Sequence, residues 1–252
     1  MQEIWKTCQG IEHIGTISGT AYRLVESQEQ IATLHYVDSL EEQALLEEML
    51  ETTKPPYPDD YRQYDYLLKT PFRYPPLDWG SRFGRSHENS IFYAGKDTQV
   101  TLAESAYYRF IFWYSMSSEP IKNNIRTEHT LFSIRYHSNK GIRLHQTPFD
   151  QYHTELTHPR HYLPCQLLGS AMRANTVNVF EYSSARDPEK GQCVGLFNPY
   201  AFIQKKPRDT QQWLCELSAN EVSFKQIHTN TIHTYTIEDF YCEGKLPLPA
   251  MQ

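Results

Sequence analysis

Eight short segments limit what this chain can fold into more than anything else in it: FYAG (92–95), TLFSIRYH (130–137), GIRLHQ (141–146), VNVFEY (177–182), CVGLF (193–197), QWLCELS (212–218), EVSFKQIH (221–228) and TIHTYTI (231–237). They are rich in β-branched and aromatic residues and often alternate. In LFSIRYH, for example, Phe132, Ile134 and Tyr136 share one face. Short helical stretches fall between them without a regular strand–helix alternation, and no GxGxxG opens a helix. The pattern predicts an α+β domain on a mixed or mostly antiparallel sheet and disfavours a doubly wound dinucleotide fold.

Ahead of these segments, residues 20 to 53 read as helical. In DSLEEQALLEEMLE, Ser39 is placed as N-cap with Glu42 three residues on, a capping box, and Leu40, Ala44, Leu45 and Leu50 recur near the helical period. KPPYPDD then stops the helix, because proline cannot continue one and disfavours helix in the residue before it. The expected organisation is an N-terminal helical arm, residues 1–55, followed by a main domain over 56–252.

With 252 residues, 39% of them hydrophobic, the chain can bury one sizeable core. Its 24 basic and 30 acidic residues leave a net charge of -6, which argues against the broad footprint of a nucleic-acid binder but permits a compact basic pocket. Five cysteines, Cys8, Cys165, Cys193, Cys215 and Cys242, form no CxxC pair and are odd in number, so neither a disulfide framework nor a zinc ribbon is expected. MQEIWKTCQG lacks the layout of a signal peptide, and no apolar run approaches the ~18 residues of a membrane span. The expected location is the cytoplasm, with no membrane or direct nucleic-acid contact.

The clearest helical period lies in TQVTLAESAYYRFIFWY (98–114). Val100, Tyr107, Ile111 and Tyr114 form one stripe, widened by Ala103 and Phe110, and Glu104 sits inside it. A carboxylate on a buried face costs several kcal/mol unless it has a partner or a task. A structural ion pair and a functional acid are both open readings at this point.

SRFGRSHENSIFYAG (81–95) supplies a setting. Arg82 and Arg85 bracket Gly84 in a loop, where glycine lets the backbone approach a ligand and a guanidinium can grip phosphate oxygens as a fork. Tyr93 ends up on the strand that follows. Further on, YSSARD places Ser183, Ser184 and Arg186 in a second polar loop, with no GxSxG elbow to suggest a serine hydrolase. HTELTHPRH gathers His153, Glu155, His158 and His161, but the spacing fits neither HExxH nor a zinc finger and Pro159 interrupts any helix, so no metal site is expected.

Together, GSRF (80–83), FYAG with Tyr93, LAE with Glu104, QLLG (166–169) and YSSAR (182–186) resemble the RES domain family, over roughly residues 71 to 200. The resemblance implies a fold similar to ADP-ribosyltransferase catalytic domains. The implied activity is that of a bacterial toxin which destroys NAD by cleaving its nicotinamide–ribose bond, with phosphate or water as acceptor. NAD is then a substrate, inorganic phosphate a co-substrate, and no cofactor is needed. Arg82, Glu104 and Ser184 take the eponymous catalytic positions. Tyr93 flanks the nicotinamide, and Arg186 is assigned to the attacking phosphate. Where many members carry a glycine this chain has SHENS, which keeps Arg85 open beside Arg82; a proline often precedes the key serine, and Ser183 here keeps that choice open too. The implied partner is a cognate protein antitoxin, and the helical arm is available to a homodimer. Two alternatives stand: ADP-ribose transfer to a macromolecule, and an inactive interaction domain using the arm and the aromatics of YRQYDYLL.

Overall fold

The computed structural model describes residues 3–27, 36–118, 120 and 122–249. Its elements in chain order are α1 (Ile4–Thr7), β1 (Gly15–Glu26), α2 (Leu40–Thr53), α3 (Tyr66–Lys69), β2 (Phe92–Gly95), α4 (Thr98–Ser115), β3 (Ile125–Arg143), α5 (His153–Leu156), α6 (Leu163–Ala174), β4 (Val179–Ser183), β5 (Gln192–Leu196), β6 (Thr210–Leu217), β7 (Glu221–Gln226) and β8 (Ile232–Thr236), with single 3₁₀ turns between some of them. The fold is α+β on an eight-stranded mixed sheet of order β1-β2-β5-β4-β3-β6-β7-β8.

Strand β3 organises the sheet. At 19 residues it merges two of the expected segments, TLFSIRYH and the start of GIRLHQ, and it buries Phe132, Ile134 and Tyr136 on one face as the alternation predicts. Along one edge it pairs antiparallel with β1; along the other it pairs first with β6 and then, in parallel, with β4. Because β1 also pairs with β2, strands β1-β2-β5-β4-β3 close into a ring, and β6–β8 extend from it.

Two N-terminal expectations are corrected here. Residues 20–26 lie in β1, not in a helix, and the helix begins only at Leu40. Pairing from Gly15 to Glu26 outweighs the local pattern, since strand formation is decided largely by neighbours across the sheet. Nor do residues 1–55 form a separate arm: β1 closes the ring, and Ile4 and Trp5 share a core with α6. Helix α2 is capped as expected, Ser39 Oγ accepting from Glu42 N at 3.1 Å, and Glu42 reaches back to the amide of Asp38. Its leucines do not face the body, however. Leu40 and Leu45 are exposed and Gln43 is the buried position.

Helix α4 starts where Asp97 accepts from Val100 N at 2.9 Å. It buries Val100, Ala103, Tyr107 and Phe110 as the stripe predicts, while Tyr114 is exposed. Among the described residues no helix is long and apolar enough to cross a membrane.

Candidate functional site

Strands β1 and β2, helix α4 and the loop before β2 enclose a cleft of about 570 Å³, a size ordinary for small-molecule sites. Four pieces of local structure set its chemistry.

The first is the loop that carries Arg82. Gly80 adopts a φ of +74°, which glycine tolerates, and Ser81 and Gly84 then pair across the turn, Ser81 N donating to Gly84 O at 2.7 Å. Tyr93 Oη lies 2.9 Å from Ser81 Oγ and accepts from Phe83 N at 3.0 Å, so this phenol holds the loop while its ring edges the cleft. Burial pushes the Tyr93 phenol up to about 12. Gln166 on α6 donates to the carbonyls of Trp79 and Ser81 at 3.0 and 3.1 Å, and Gly169 one turn on lets Phe83 pass against the helix. Thus QLLG docks the arginine loop. Phe83 is fully buried, with Phe180 and Tyr182 each 4.9 Å away in edge contact.

Arg82 itself donates through Nη1 to His158 O at 2.9 Å and lies 4.5 Å from the Tyr162 ring centroid. The second piece is Glu104, at the cleft edge of the α4 stripe. Ser184, 1% exposed, donates to Glu104 Oε1 at 2.5 Å. Its Oγ in turn accepts from Arg186 N at 3.1 Å and Asp187 N at 2.9 Å. The serine's single proton is committed to the carboxylate, so it orients Glu104 rather than acting as a nucleophile.

Third is Arg23 on β1. It is half-buried in the cleft wall, donates to Tyr93 O, faces the Phe92 ring at 5.0 Å, and has a buried Nε without a hydrogen-bond partner among the described residues. Burial pulls its pKa down to about 10, which still leaves it charged at neutral pH. The fourth piece closes the far end. Arg109 is ion-paired to Glu26 at 2.5 Å and donates to Thr127 Oγ1 at 3.1 Å. His129 beside it is 4% exposed; burial first, then Arg109, hold its pKa at about 3, so the ring is neutral and its Nε2 accepts.

The structure therefore brings Arg82, Tyr93 and Glu104 to one cleft, with Ser184 behind the carboxylate. Arg85, Ser183 and Arg186 do not line it. Arg85 is tied through its amide to Glu88. Ser183 ends β4, paired with Gln192. Arg186 is 5% exposed, 3.6 Å from the Tyr107 centroid and bonded to Pro159 O and Tyr162 Oη. The histidines of HTELTHPRH build a turn: His158 Nδ1 accepts from the amides of Arg160 and His161, and among the described residues no group of three or more His, Cys, Asp or Glu side chains gathers as metal ligands.

Sequence reasoning missed Arg23, because residues 20–26 were read as helix. The signal was there: GTISGTAYRLVE holds four β-branched residues and an aromatic, a strand composition.

The sequence matches no curated protein. In fold it is similar to a chain of the crystal structure of the M. tuberculosis MbcT–MbcA toxin–antitoxin complex, at 10% identity and a TM-score of 0.48, over 87% of this chain and 94% of that one. The RES domain family model matches residues 58–218, well over half of the chain and inclusive of Arg82, Tyr93, Glu104 and Ser184, and the chain belongs to that family.

Proposed function

We propose that the cleft binds NAD and breaks its nicotinamide–ribose bond, with phosphate or water as acceptor, and that the protein is the toxin of a bacterial toxin–antitoxin pair on an ADP-ribosyltransferase-like frame. The observation that carries this reading is one cleft shared by a serine-held carboxylate, Glu104, and two arginines, Arg82 and Arg23, that have no ion-pair partner among the described residues.

As the C1′–N bond breaks, its electron pair moves onto the ring nitrogen, nicotinamide leaves neutral, and positive charge develops on the ribose. Glu104 faces that charge and stabilises it more than the ground state. Ser184 keeps the carboxylate aimed. Arg82 and Arg23 hold the diphosphate, where a dry wall strengthens each contact. Tyr93, Tyr108 and Tyr182 supply flat apolar surface for the nicotinamide. The acceptor oxygen then attacks C1′. Arg186, which sequence reasoning assigned to an attacking phosphate, has its guanidinium committed elsewhere, so that role falls to cleft residues. The partner of such a toxin is a cognate antitoxin, and the exposed Leu77, Trp79 and Tyr108 at the mouth give it an apolar rim to cover.

The test is to incubate purified protein with NAD, with and without phosphate, and to identify products. Free nicotinamide with ADP-ribose or its phosphorylated form is expected, reduced ~10²–10³-fold in Glu104→Gln, the scale of losing one transition-state electrostatic contact. A labelled macromolecule would favour ADP-ribose transfer instead. Equal, negligible turnover by wild type and variant would leave an interaction domain.

A further inference from the structure

Arg186 was expected at the ligand and lies one layer behind it, which raises the question of what a buried cation does there. Its guanidinium faces Tyr107 at 3.6 Å and donates to Pro159 O at 2.7 Å and Tyr162 Oη at 2.9 Å. On the face of the same Tyr162 ring sits Arg82, at 4.5 Å, with its Nη1 on His158 O at 2.9 Å. Two consecutive carbonyls, of residues 158 and 159, are thus divided between two arginines, and one tyrosine touches both. Like charges in a shared low-dielectric wall repel. Tyr162 offers each a different negative surface, its oxygen lone pair to Arg186 and its ring face to Arg82.

The tyrosine is itself fixed. It is 4% exposed at the N-cap of α6, its carbonyl accepts from Gln166 N at 2.8 Å, and Pro164 follows in the first turn. The Arg186 end is fixed to the acid: Arg186 N donates to Ser184 Oγ, and Ser184 donates to Glu104. A continuous path runs from Glu104 through Ser184, Arg186 and Tyr162 to Arg82.

We propose that Tyr162 is a positioning residue that couples the cleft cation Arg82 to the Ser184–Arg186 turn holding Glu104. The coupling is stated for the site as such; its effect on catalysis rests on the NAD-cleaving reading above. To the extent that Tyr162 acts by seating Arg82, its loss costs less once Arg82 is gone, whereas a merely structural residue costs the same in either background.

The experiment has two arms. In the first, kcat/KM for NAD is measured for wild type, Tyr162→Leu, Arg82→Ala and the double variant. Tyr162→Leu is expected to fall ~10–30-fold, the scale of a desolvated cation–ring contact, and the loss in the double variant to stay well below the product of the two single losses. Tyr162→Phe, which keeps the ring and loses only the bond from Arg186, is expected to lose less than Tyr162→Leu. Additive losses in the double variant overturn the proposal.

The second arm needs no substrate: the Arg82 Nε–H resonance, assigned with Arg82→Lys, is followed by NMR. A ring-current upfield shift that survives in Tyr162→Phe and vanishes in Tyr162→Leu is expected. An unshifted signal in wild type overturns the proposal. If wild type consumes no NAD, the functional reading fails and this second arm still decides whether Tyr162 seats Arg82.

Discussion

Gly169→Ala sets two well-understood effects against each other within α6. Alanine is the better helix former by ~1 kcal/mol, so in an open helix this change stabilises. Here a Cβ would stand 1.8 Å from Phe83 O and 2.7 Å from Phe83 C, both backbone atoms of the arginine loop. An ordinary contact needs about 3.4 Å, so either helix or loop must retreat by roughly 1.5 Å, and overpacking of that kind costs ~1–3 kcal/mol or more. The helix cannot yield easily, because Leu168 and Met172 are buried on either side. The loop yields instead and carries Arg82 with it. Displacing a substrate-positioning group by ~1 Å can cost about 10²-fold in rate. The expected result is a modest fall in Tm together with a far larger loss of kcat/KM for NAD at temperatures where the variant is fully folded. A folded Gly169→Ala protein with wild-type kcat/KM would refute the reasoning, since it would mean that close docking of the loop on α6 does not set the position of Arg82.

Three further outcomes follow from the cleft. Arg23→Met, which keeps the buried stem and removes the charge, is expected to raise KM for NAD ~10–100-fold with a smaller change in kcat, the range for a charge-assisted contact; an unchanged KM removes Arg23 from the site. His129 gives a pH signature. The unfolded chain takes up its proton below about 6.5 while the folded ring refuses it until about 3, so stability is full above pH 6.5 and drains as pH falls toward 3, by ~2–4 kcal/mol in total. His129→Gln, followed by urea unfolding across that range, is expected to flatten the slope. Glu104→Gln is expected to match or exceed wild type in Tm while losing activity; a clear drop in Tm counts against a catalytic use for the carboxylate.

Strands β3, β6 and β7 are legible because much of their length buries one face, which leaves a period of two in the sequence, whereas β4 and β5 are buried on both faces and are legible as short apolar runs. Phe132, Ile134 and Tyr136 show the period plainly. Strand β1 is different. It is paired on both edges, its Gly19 admits no side chain beside Tyr136, and its Arg23 points into a cleft, so its strand state comes from partners more than a hundred residues away, and its own residues carry only a faint period. Missing β1 meant missing Arg23.

In the site itself, Glu104 was legible because a carboxylate breaks an otherwise apolar stripe, and Arg82, Tyr93 and Ser184 through a resemblance of short motifs in the right order. The work of Tyr162 was not legible. It depends on a turn folded by His158, and nothing local distinguishes that turn from a cluster of histidines.

Those two kinds of residue differ in what holds them in place. Glu104 breaks the pattern of its helix, and a carboxylate in apolar surroundings is a local cost that the fold must offset. The structure offsets it with a single buried hydroxyl, and that hydroxyl is in turn held by two backbone amides. A purely structural acid would be expected to end in an ion pair, as Glu181 does with Lys96 and Arg143 in the same protein. Burial works against the charge of Glu181, yet those partners hold its carboxyl below the usual range. Glu104 has no such ion pair among the described residues, and its carboxylate edges an open cleft. Among the described residues, the protein thus ion-pairs the carboxylate it uses as scaffold and gives the one beside the cleft no direct ion pair, with Arg82 and Arg23 elsewhere on the same cleft, an arrangement that leaves the carboxylate face open to a charge that develops in the transition state.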